Sequence, residues 1–143
     1  MNKKLEGKLI IVTGGSGLLG CAIVKRLKEE SSIVINLEIG VENTDDLSLV
    51  NCDITKPESI DQALYLVIQK YGRINGLVNN AYPRTADWGK KFEDIDYASW
   101  QKNVDWQLNS YFYFCQQASK QMALQKDGGS IVNLASVYGV VGP

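Results

Sequence analysis

Short apolar runs alternate along this chain with longer stretches in which apolar residues recur every three or four positions. The short runs predict five strands, over 9–12, 33–37, 47–50, 74–78 and 130–135. The helical spacing predicts three helices, over 18–30, from Thr55 to Tyr71, and over about 99–125. Strands that alternate with helices favour a parallel sheet with helices on both faces, so we expect an α/β fold.

Turn-forming residues indicate where these elements end. Thr55 and Glu58 fit a capping box, and Pro57 suits the first turn of a helix. Gly72 suits a helix stop, and a polar, aromatic loop is expected over 82–94. No internal repeat interrupts the order, so right-handed crossovers would build a doubly wound, Rossmann-type sheet in one domain over the whole chain, 1–143.

Composition excludes several classes of protein. Fifteen basic and sixteen acidic residues leave a net charge of −1, which gives no electrostatic reason to expect a nucleic acid or membrane partner. The chain has no histidine and its three cysteines are far apart in sequence, so no metal site is expected. No signal peptide or membrane-spanning stretch is visible, so we expect a cytoplasmic protein with a small-molecule substrate.

Segment 13–20, TGGSGLLG, follows the first predicted strand and opens the first predicted helix. A P-loop would need lysine where Cys21 stands, so the chain does not fit that class of NTPase. Gly15, Gly17 and Gly20 instead match the G-x-G-x-x-G pattern of a dinucleotide-binding turn. In such a turn the glycines permit a tight bend, close approach of a pyrophosphate, and close packing of helix on strand.

Glu38 comes directly after the second predicted strand. In a dinucleotide-binding fold, a carboxylate at this place accepts hydrogen bonds from the hydroxyl groups of the adenosine ribose. The same charge would repel a 2′-phosphate, so NAD is the expected cofactor and NADP is less favoured. The alternative is that Glu38 is only the solvated end of a strand.

Five motifs in order resemble the short-chain dehydrogenase/reductase family over essentially the whole chain. They are the glycine segment 13–20, CDIT at 52–55, LVNNA at 77–81, Asn109, and IVNLAS at 131–136. The resemblance implies an oxidoreductase that transfers a hydride between NAD(P) and a carbonyl or hydroxyl substrate. NNAYPR at 79–84 and VYG at 137–139 resemble a bacterial subgroup linked to surface-sugar and flagellin glycosylation, which implies a nucleotide-linked sugar as substrate.

The resemblance also implies individual roles. The residues expected to bind the cofactor are Gly14, Ser16, Gly17, Leu18, Gly20, Glu38, Asp53, Ile54, Asn80, Ala81 and Tyr82. Asp53 would accept a hydrogen bond from the adenine amino group, with Ile54 beside the ring. Asn109 would hold a proton-relay water, and Ser136 would orient the substrate carbonyl or hydroxyl group.

Two positions depart from the family pattern. Leu18 stands where many members have glycine, and Tyr82 replaces the glycine that usually follows Asn-Asn-Ala. Tyr82 cannot rely on an easy positive φ, so its ring would instead form a wall on the nicotinamide side. Arg84, in the same loop, would face a phosphate or carboxylate, with a solvent-exposed arginine as the alternative.

Several of these residues have a structural alternative. Asp53 could cap the turn that follows it, and Asn79 and Asn80 could tie turns. Asn109 could be a solvent-facing helix residue, and Ser136 an ordinary strand end. The hydrogen-bond partners of these side chains in the folded chain distinguish the alternatives.

The tyrosine–lysine pair of the family is missing from this sequence. In the family, a lysine four residues after a tyrosine lowers the pKa of the tyrosine so that it can act as an acid or base. None of the seven tyrosines here has lysine at that spacing, and Tyr138 is too close to Ser136 for the motif. We therefore expect that the sheet is truncated after the fifth strand and that this chain alone is inactive. We also expect that the full-length protein forms homo-oligomers.

Two other functions fit parts of the pattern. A non-catalytic nucleotide-binding or scaffold homologue would explain the missing tyrosine. A 3-oxoacyl-carrier-protein reductase would belong to the same family but would favour NADP and a basic docking surface. Glu38 and the balanced charge count against that reductase.

Overall fold

The computed structural model describes residues 3–137, 140 and 141, which form a five-stranded parallel sheet and its flanking helices. The strands are β1 (Leu9–Thr13), β2 (Ile33–Glu38), β3 (Leu49–Asn51), β4 (Gly76–Asn79) and β5 (Ser130–Asn133). Their order across the sheet is β3-β2-β1-β4-β5. The predicted α/β fold with a Rossmann-type sheet is therefore confirmed.

β1 lies at the centre of the sheet and pairs in parallel with β2 and β4. Val12 is opposite both Asn36 of β2 and Val78 of β4. Every residue of β1 is buried, which explains why this strand has no polar alternation in the sequence. Because all strands run in the same direction, the segments that follow them leave from one edge of the sheet, where such folds bind ligands.

Helices cover both faces of the sheet. They are α1 (Leu18–Glu29), α2 (Pro57–Tyr71), α3 (Tyr97–Val104) and α4 (Ser110–Ala123). Leu9 and Ile11 of β1 belong to the larger apolar core, to which α2 and α4 contribute. Ile10 and Val12 belong to a smaller core on the other face, against which α1 packs. None of the helices within the described residues is long and apolar enough to cross a membrane.

The third predicted helix is continuous but not uniform. It begins at Tyr97, earlier than predicted, because the carboxylate of Asp96 caps it by accepting hydrogen bonds from two backbone N–H groups. Residues Asp105–Asn109 form a π-helical segment between α3 and α4. Such segments occur frequently at functional sites.

The capping box predicted at Thr55 is wrong. α2 begins at Pro57, as the first-turn prediction requires, but its N-cap is Lys56 and no side chain caps it. The hydroxyl and the N–H of Thr55 both donate to Oδ1 of Asp53, so Thr55 belongs to the preceding turn. Gly72 ends the helix with a φ of 69°, as a glycine stop requires.

Two strands also begin later than the apolar pattern predicts. Leu47 has a φ of 57°, a left-handed conformation that no strand contains, so β3 begins at Leu49. The N–H and carbonyl of Ile74 bond to the side chain of Gln125, so β4 begins at Gly76. In the first case the backbone conformation stops the strand, and in the second a side chain uses the groups that would extend it.

Candidate functional site

A cavity of about 730 Å³ opens at the edge of the sheet where β1 to β4 end. Pockets for cofactors and small substrates typically have volumes of about 300–1,000 Å³. The predicted cofactor-binding residues that line it are Gly14, Gly17, Leu18, Glu38, Asp53, Ile54, Asn80, Ala81 and Tyr82. Ser16 and Gly20 lie in the same turn but do not line the cavity.

The turn from β1 into α1 requires glycine for different reasons at different positions. Gly14 has a φ of 64°, and a Cβ there would lie 3.0 Å from the Cα of Ala81. A Cβ at Gly20 would lie 2.1 Å from the carbonyl oxygen of Gly14. A Cβ at Gly15 would lie 2.4 Å from Oδ1 of Asn36. Gly20 therefore has no room for a side chain, but the atoms in the way belong to the turn at Gly14 and Gly15 and not to β1. The left-handed residue is Gly14, which lies outside the G-x-G-x-x-G pattern.

The first turn of α1 exposes backbone N–H groups at the cavity wall. Within the part of the chain that the structure describes, no hydrogen bond is donated by the N–H groups of Leu18, Leu19 or Gly20. No acidic residue lies in this first turn, and Leu18 and Leu19 line the cavity. Because unpaired N–H groups and the helix dipole both favour negative charge, this wall suits a phosphate group.

Side chains from the neighbouring strands hold the turn on two sides. Asn36 of β2 accepts a hydrogen bond from the N–H of Gly15 at 2.7 Å and donates to Oγ of Ser16 at 3.0 Å. Asn80, after β4, donates to two carbonyl oxygens at the end of β1, each at 2.9 Å. Asn79 links β4 to β5 through a side-chain hydrogen bond of 2.8 Å. Asn79 and Asn80 therefore tie neighbouring segments together, and Asn80 lines the cavity as well.

The Glu38 carboxylate lies beside the glycine turn. Its Oε2 accepts a hydrogen bond of 3.1 Å from the N–H of Ser16. Its Oε1 has no hydrogen-bond partner among the described residues, which leaves that oxygen available to hydroxyl groups in the cavity. Glu38 is thus a half-buried part of the cavity wall rather than a solvated strand end.

The Asp53 carboxylate lines the cavity but is engaged within the chain. Its Oδ1 accepts two hydrogen bonds from Thr55, and its Oδ2 pairs with Nζ of Lys56 at 3.2 Å. Partial burial acts to raise the pKa of Asp53, but the hydrogen bonds from Thr55 and the charge of Lys56 together hold it below its usual value. The alternative that Asp53 caps the next turn is observed, and adenine recognition by this side chain stays a prediction.

The two predicted catalytic residues do not line the cavity. Asn109 is exposed at the end of the π-helical segment, and its Nδ2 donates to Oδ1 of Asp105 at 2.8 Å. Ser136 is exposed beyond the end of β5, at the same edge of the sheet as the cavity. Tyr138 lies outside the described residues. The roles predicted for Asn109 and Ser136 stay predictions.

The loop after β4 and the π-helical segment complete the wall. Tyr82 needs no positive φ, and its ring meets Trp88 edge to face with centroids 5.8 Å apart. The guanidinium of Arg84 lies 6.0 Å from the centroid of the Tyr82 ring. Trp106 also lines the cavity, and sequence reasoning missed it. Its position near Asn109 was the only signal, because helical spacing alone does not tell which face meets a distant loop.

Comparisons with known proteins agree with this geometry. A family model described as short chain dehydrogenase matches residues 8–143. Post-translational flagellin modification protein A of Campylobacter coli is 30% identical over an alignment of 152 residues with gaps, which covers 97% of this chain and 59% of that protein. Sorbitol-6-phosphate 2-dehydrogenase of Klebsiella pneumoniae is 32% identical over an alignment of 150 residues with gaps, which covers 96% of this chain and 55% of that enzyme.

A solved structure shares the fold. The crystal structure of a short chain dehydrogenase from Leptospira borgpetersenii serovar Hardjo-bovis, with bound NAD+, matches with a TM-score of 0.84 at 25% identity. The match covers 99% of this chain and 56% of that one. This chain therefore spans less than 60% of the length of each of these three proteins.

Proposed function

Because the chain belongs to the short-chain dehydrogenase family, as its motifs predict, we propose that it binds NAD as part of an oxidoreductase. When bound, the nicotinamide supplies or accepts a hydride, and the substrate is an alcohol or a carbonyl compound. The observation that carries the proposal is the cavity wall at the start of α1. The N–H groups there, which have no partner among the described residues, lie beside a turn opened by Gly14 and beside the Glu38 carboxylate.

Different residues of the cavity would bind different parts of a dinucleotide. The N–H groups in the first turn of α1 would hold the pyrophosphate. Oε1 of Glu38 would accept hydrogen bonds from the adenosine ribose, and Ile54 would pack against the adenine ring. Asn80 and Ala81, which follow β4, would line the second ribose. In this arrangement the two ends of the cofactor would lie on opposite sides of β1.

Glu38 supports NAD as the preferred form of the cofactor. A 2′-phosphate on the adenosine ribose would meet the negative charge of this carboxylate. The carboxylate also holds the N–H of Ser16, so this donor is not available to a phosphate. Both effects weaken the binding of NADP relative to NAD.

Calorimetric titration of the purified chain with NAD and NADP tests the proposal. We expect NAD to bind at least tenfold more tightly than NADP. Glu38→Gln keeps the size and the hydrogen-bond acceptor but removes the charge, so it should reduce that preference to less than threefold. Glu42→Ala, at an exposed position that does not line the cavity, is the control and should change nothing. Equal affinities in the wild-type chain, or an unchanged preference in Glu38→Gln, would contradict the proposal.

We further propose that the substrate is a sugar derivative, such as a nucleotide-linked sugar. One relative is by name a sorbitol-6-phosphate 2-dehydrogenase, and the phosphate of a sugar alcohol is close to this class. The name of another, a flagellin modification protein, agrees with the resemblance to the subgroup linked to flagellin glycosylation. In the complete active site, Ser136 would orient the reacting group and Asn109 would hold a proton-relay water. Since no tyrosine has lysine four residues later, we propose that this chain alone has no turnover. Robust NADH formation from NAD and candidate alcohols would contradict that.

The proposal also includes the localisation and the oligomeric state of the protein. We propose a cytoplasmic protein that forms homo-oligomers at full length. The free thiols of all three cysteines support a reducing compartment.

A further inference from the structure

Three side chains hold the loop that follows β4. They come from the helical stretch that α3, the π-helical segment and α4 form together, and they bond to backbone groups of the loop. The pairs are Asn103 with the N–H of Thr85 (3.0 Å), Gln107 with the carbonyl of Pro83 (3.1 Å), and the Tyr111 hydroxyl with the carbonyl of Ala81 (2.8 Å). Asn103 is almost fully buried, and its Nδ2 also donates to Oγ1 of Thr85.

The spacing of these pairs explains the shape of segment 81–85. The helical partners are four residues apart, which corresponds to a rise of about 6 Å. The loop partners are two residues apart, which corresponds to about 6.6 Å of extended chain. Because the two spacings match, the segment can run extended along the helix with every second residue bonded to it. The side chains of the residues between, Tyr82 and Arg84, then lie together on one face of the segment, opposite the face of residues 81, 83 and 85.

The contacts of Tyr82 and Arg84 agree with the two side chains lying on the same face of the segment. Both side chains are exposed and both line the cavity. The guanidinium of Arg84 lies over the ring of Tyr82, whose edge-to-face contact with Trp88 fixes the ring in turn. Within residues 3–137, 140 and 141, Arg84 has no carboxylate partner and makes no side-chain hydrogen bond.

The position of Arg84 separates it from the acidic residues of the cavity. Glu38 ends β2 and Asp53 follows β3, whereas Arg84 follows β4, on the other side of β1. Strands two places apart in a sheet are about 10 Å apart. Arg84 is also the one cation among the described residues that line the cavity. Its charge is therefore free for a ligand at the β4 side.

We infer that Arg84 binds an anionic group of the substrate, a phosphate or a carboxylate, at the β4 side of the cavity. The guanidinium offers a planar set of donors that matches either group, and it lies 6.0 Å from the centroid of the Tyr82 ring, at the cavity wall. The inference rests on the proposed function, because the substrate would lie beside the nicotinamide end of the dinucleotide, which that function assigns to the β4 side of the cavity.

Calorimetry on the NAD-saturated chain tests this inference with three sugars. Glucose 6-phosphate carries a phosphate, glucuronate carries a carboxylate, and glucose is the neutral control. We expect at least one of the two anionic sugars to bind tenfold or more tightly than glucose, and the tighter of them identifies the group. Arg84→Gln should remove that advantage, and Arg84→Lys should keep part of it because the charge remains. Lys90→Gln changes an exposed lysine of the same loop that does not line the cavity, and should have no effect.

Three results would overturn the inference. They are equal binding of all three sugars by the wild-type chain, an anion preference that survives Arg84→Gln, and a loss of NAD affinity in Arg84→Gln, which would place Arg84 on the cofactor. Titration with NAD alone is measured separately for each variant. If NAD fails to bind the wild-type chain, the proposed function fails, and the same three sugars without NAD then decide the role of Arg84.

Discussion

Replacing Gly20 by alanine tests whether the turn from β1 into α1 has room for one methyl group. Gly20 lies in the first turn of α1, where the higher helix propensity of alanine would by itself stabilise the fold by up to about 1 kcal/mol. The new Cβ would, however, lie 2.1 Å from the carbonyl oxygen of Gly14 and 2.7 Å from the Cα of Gly15. Both are backbone atoms, so no side-chain rotation can relieve the overlap.

The carbonyl of Gly14 must therefore move if the methyl group is to fit. Adding a methyl group to a well-packed site costs about 1–3 kcal/mol, and more where the backbone must shift. The same carbonyl accepts hydrogen bonds from Nδ2 of Asn80 and from the N–H of Gly17. Each contributes about 1 kcal/mol, and the shift weakens both. We expect Gly20→Ala to lower the free energy of unfolding by about 3 kcal/mol, since steric overlap exceeds helix propensity.

Urea denaturation followed by circular dichroism measures this loss. With a denaturant slope of about 2 kcal/mol per molar, the midpoint should fall by about 1.5 M. Gly17→Ala is the matched control, because a Cβ there would lie 3.3 Å from the same carbonyl oxygen and Gly17 has a φ of −74°. Its expected loss is below about 1 kcal/mol. If Gly20→Ala and Gly17→Ala unfold at the same urea concentration, close packing is not the reason for glycine at position 20.

Two further predictions concern groups whose pKa changes on burial. Burial, with a smaller contribution from Tyr82, raises the pKa of Tyr111 to about 12, so its contribution to stability is complete below about pH 10 and is lost as the pH rises toward 12. Tyr111→Phe should make urea midpoints fall less steeply over that range, and an unchanged slope would contradict this. Burial likewise raises the pKa of the Cys52 thiol to about 11, whereas Cys21 is exposed. Iodoacetamide at about pH 8 should alkylate Cys21 and spare Cys52 until urea unfolds the chain, as peptide mass spectrometry would show; equal rates would contradict the burial of Cys52.

The sequence alone was sufficient for the fold class and for the outline of the cavity. A buried strand such as β1 has to be apolar throughout, and a helix that covers a sheet has to repeat apolar residues at helical spacing, so both leave a local signal. The predicted strands and their connections implied a parallel sheet, and a parallel sheet brings the residues after β1 to β4 to one edge. The sequence alone also shows that the chain contains no Tyr-x-x-x-Lys pair.

Other features depended on contacts between residues far apart in the chain. The G-x-G-x-x-G pattern does not identify Gly14 as the left-handed residue, and nothing near Gly15 indicates that Asn36 excludes a side chain there. Thr55 fits a capping box by spacing, but Asp53 competes for its hydroxyl and N–H. In each case, a local pattern permits several partners, and the packed fold selects one.

The placement of the Tyr82 and Arg84 side chains on one face of segment 81–85 is the clearest case of what only the tertiary structure decided. Residues 103, 107 and 111 are polar positions on a helix, and residues 81–85 are an irregular loop with no periodicity of their own. The two segments match only because the rise of four helical residues nearly equals the length of two extended residues, and because the fold lays one along the other. Hydrophobic periodicity records which face of an element is buried, but it contains no information about which polar groups will meet across two elements.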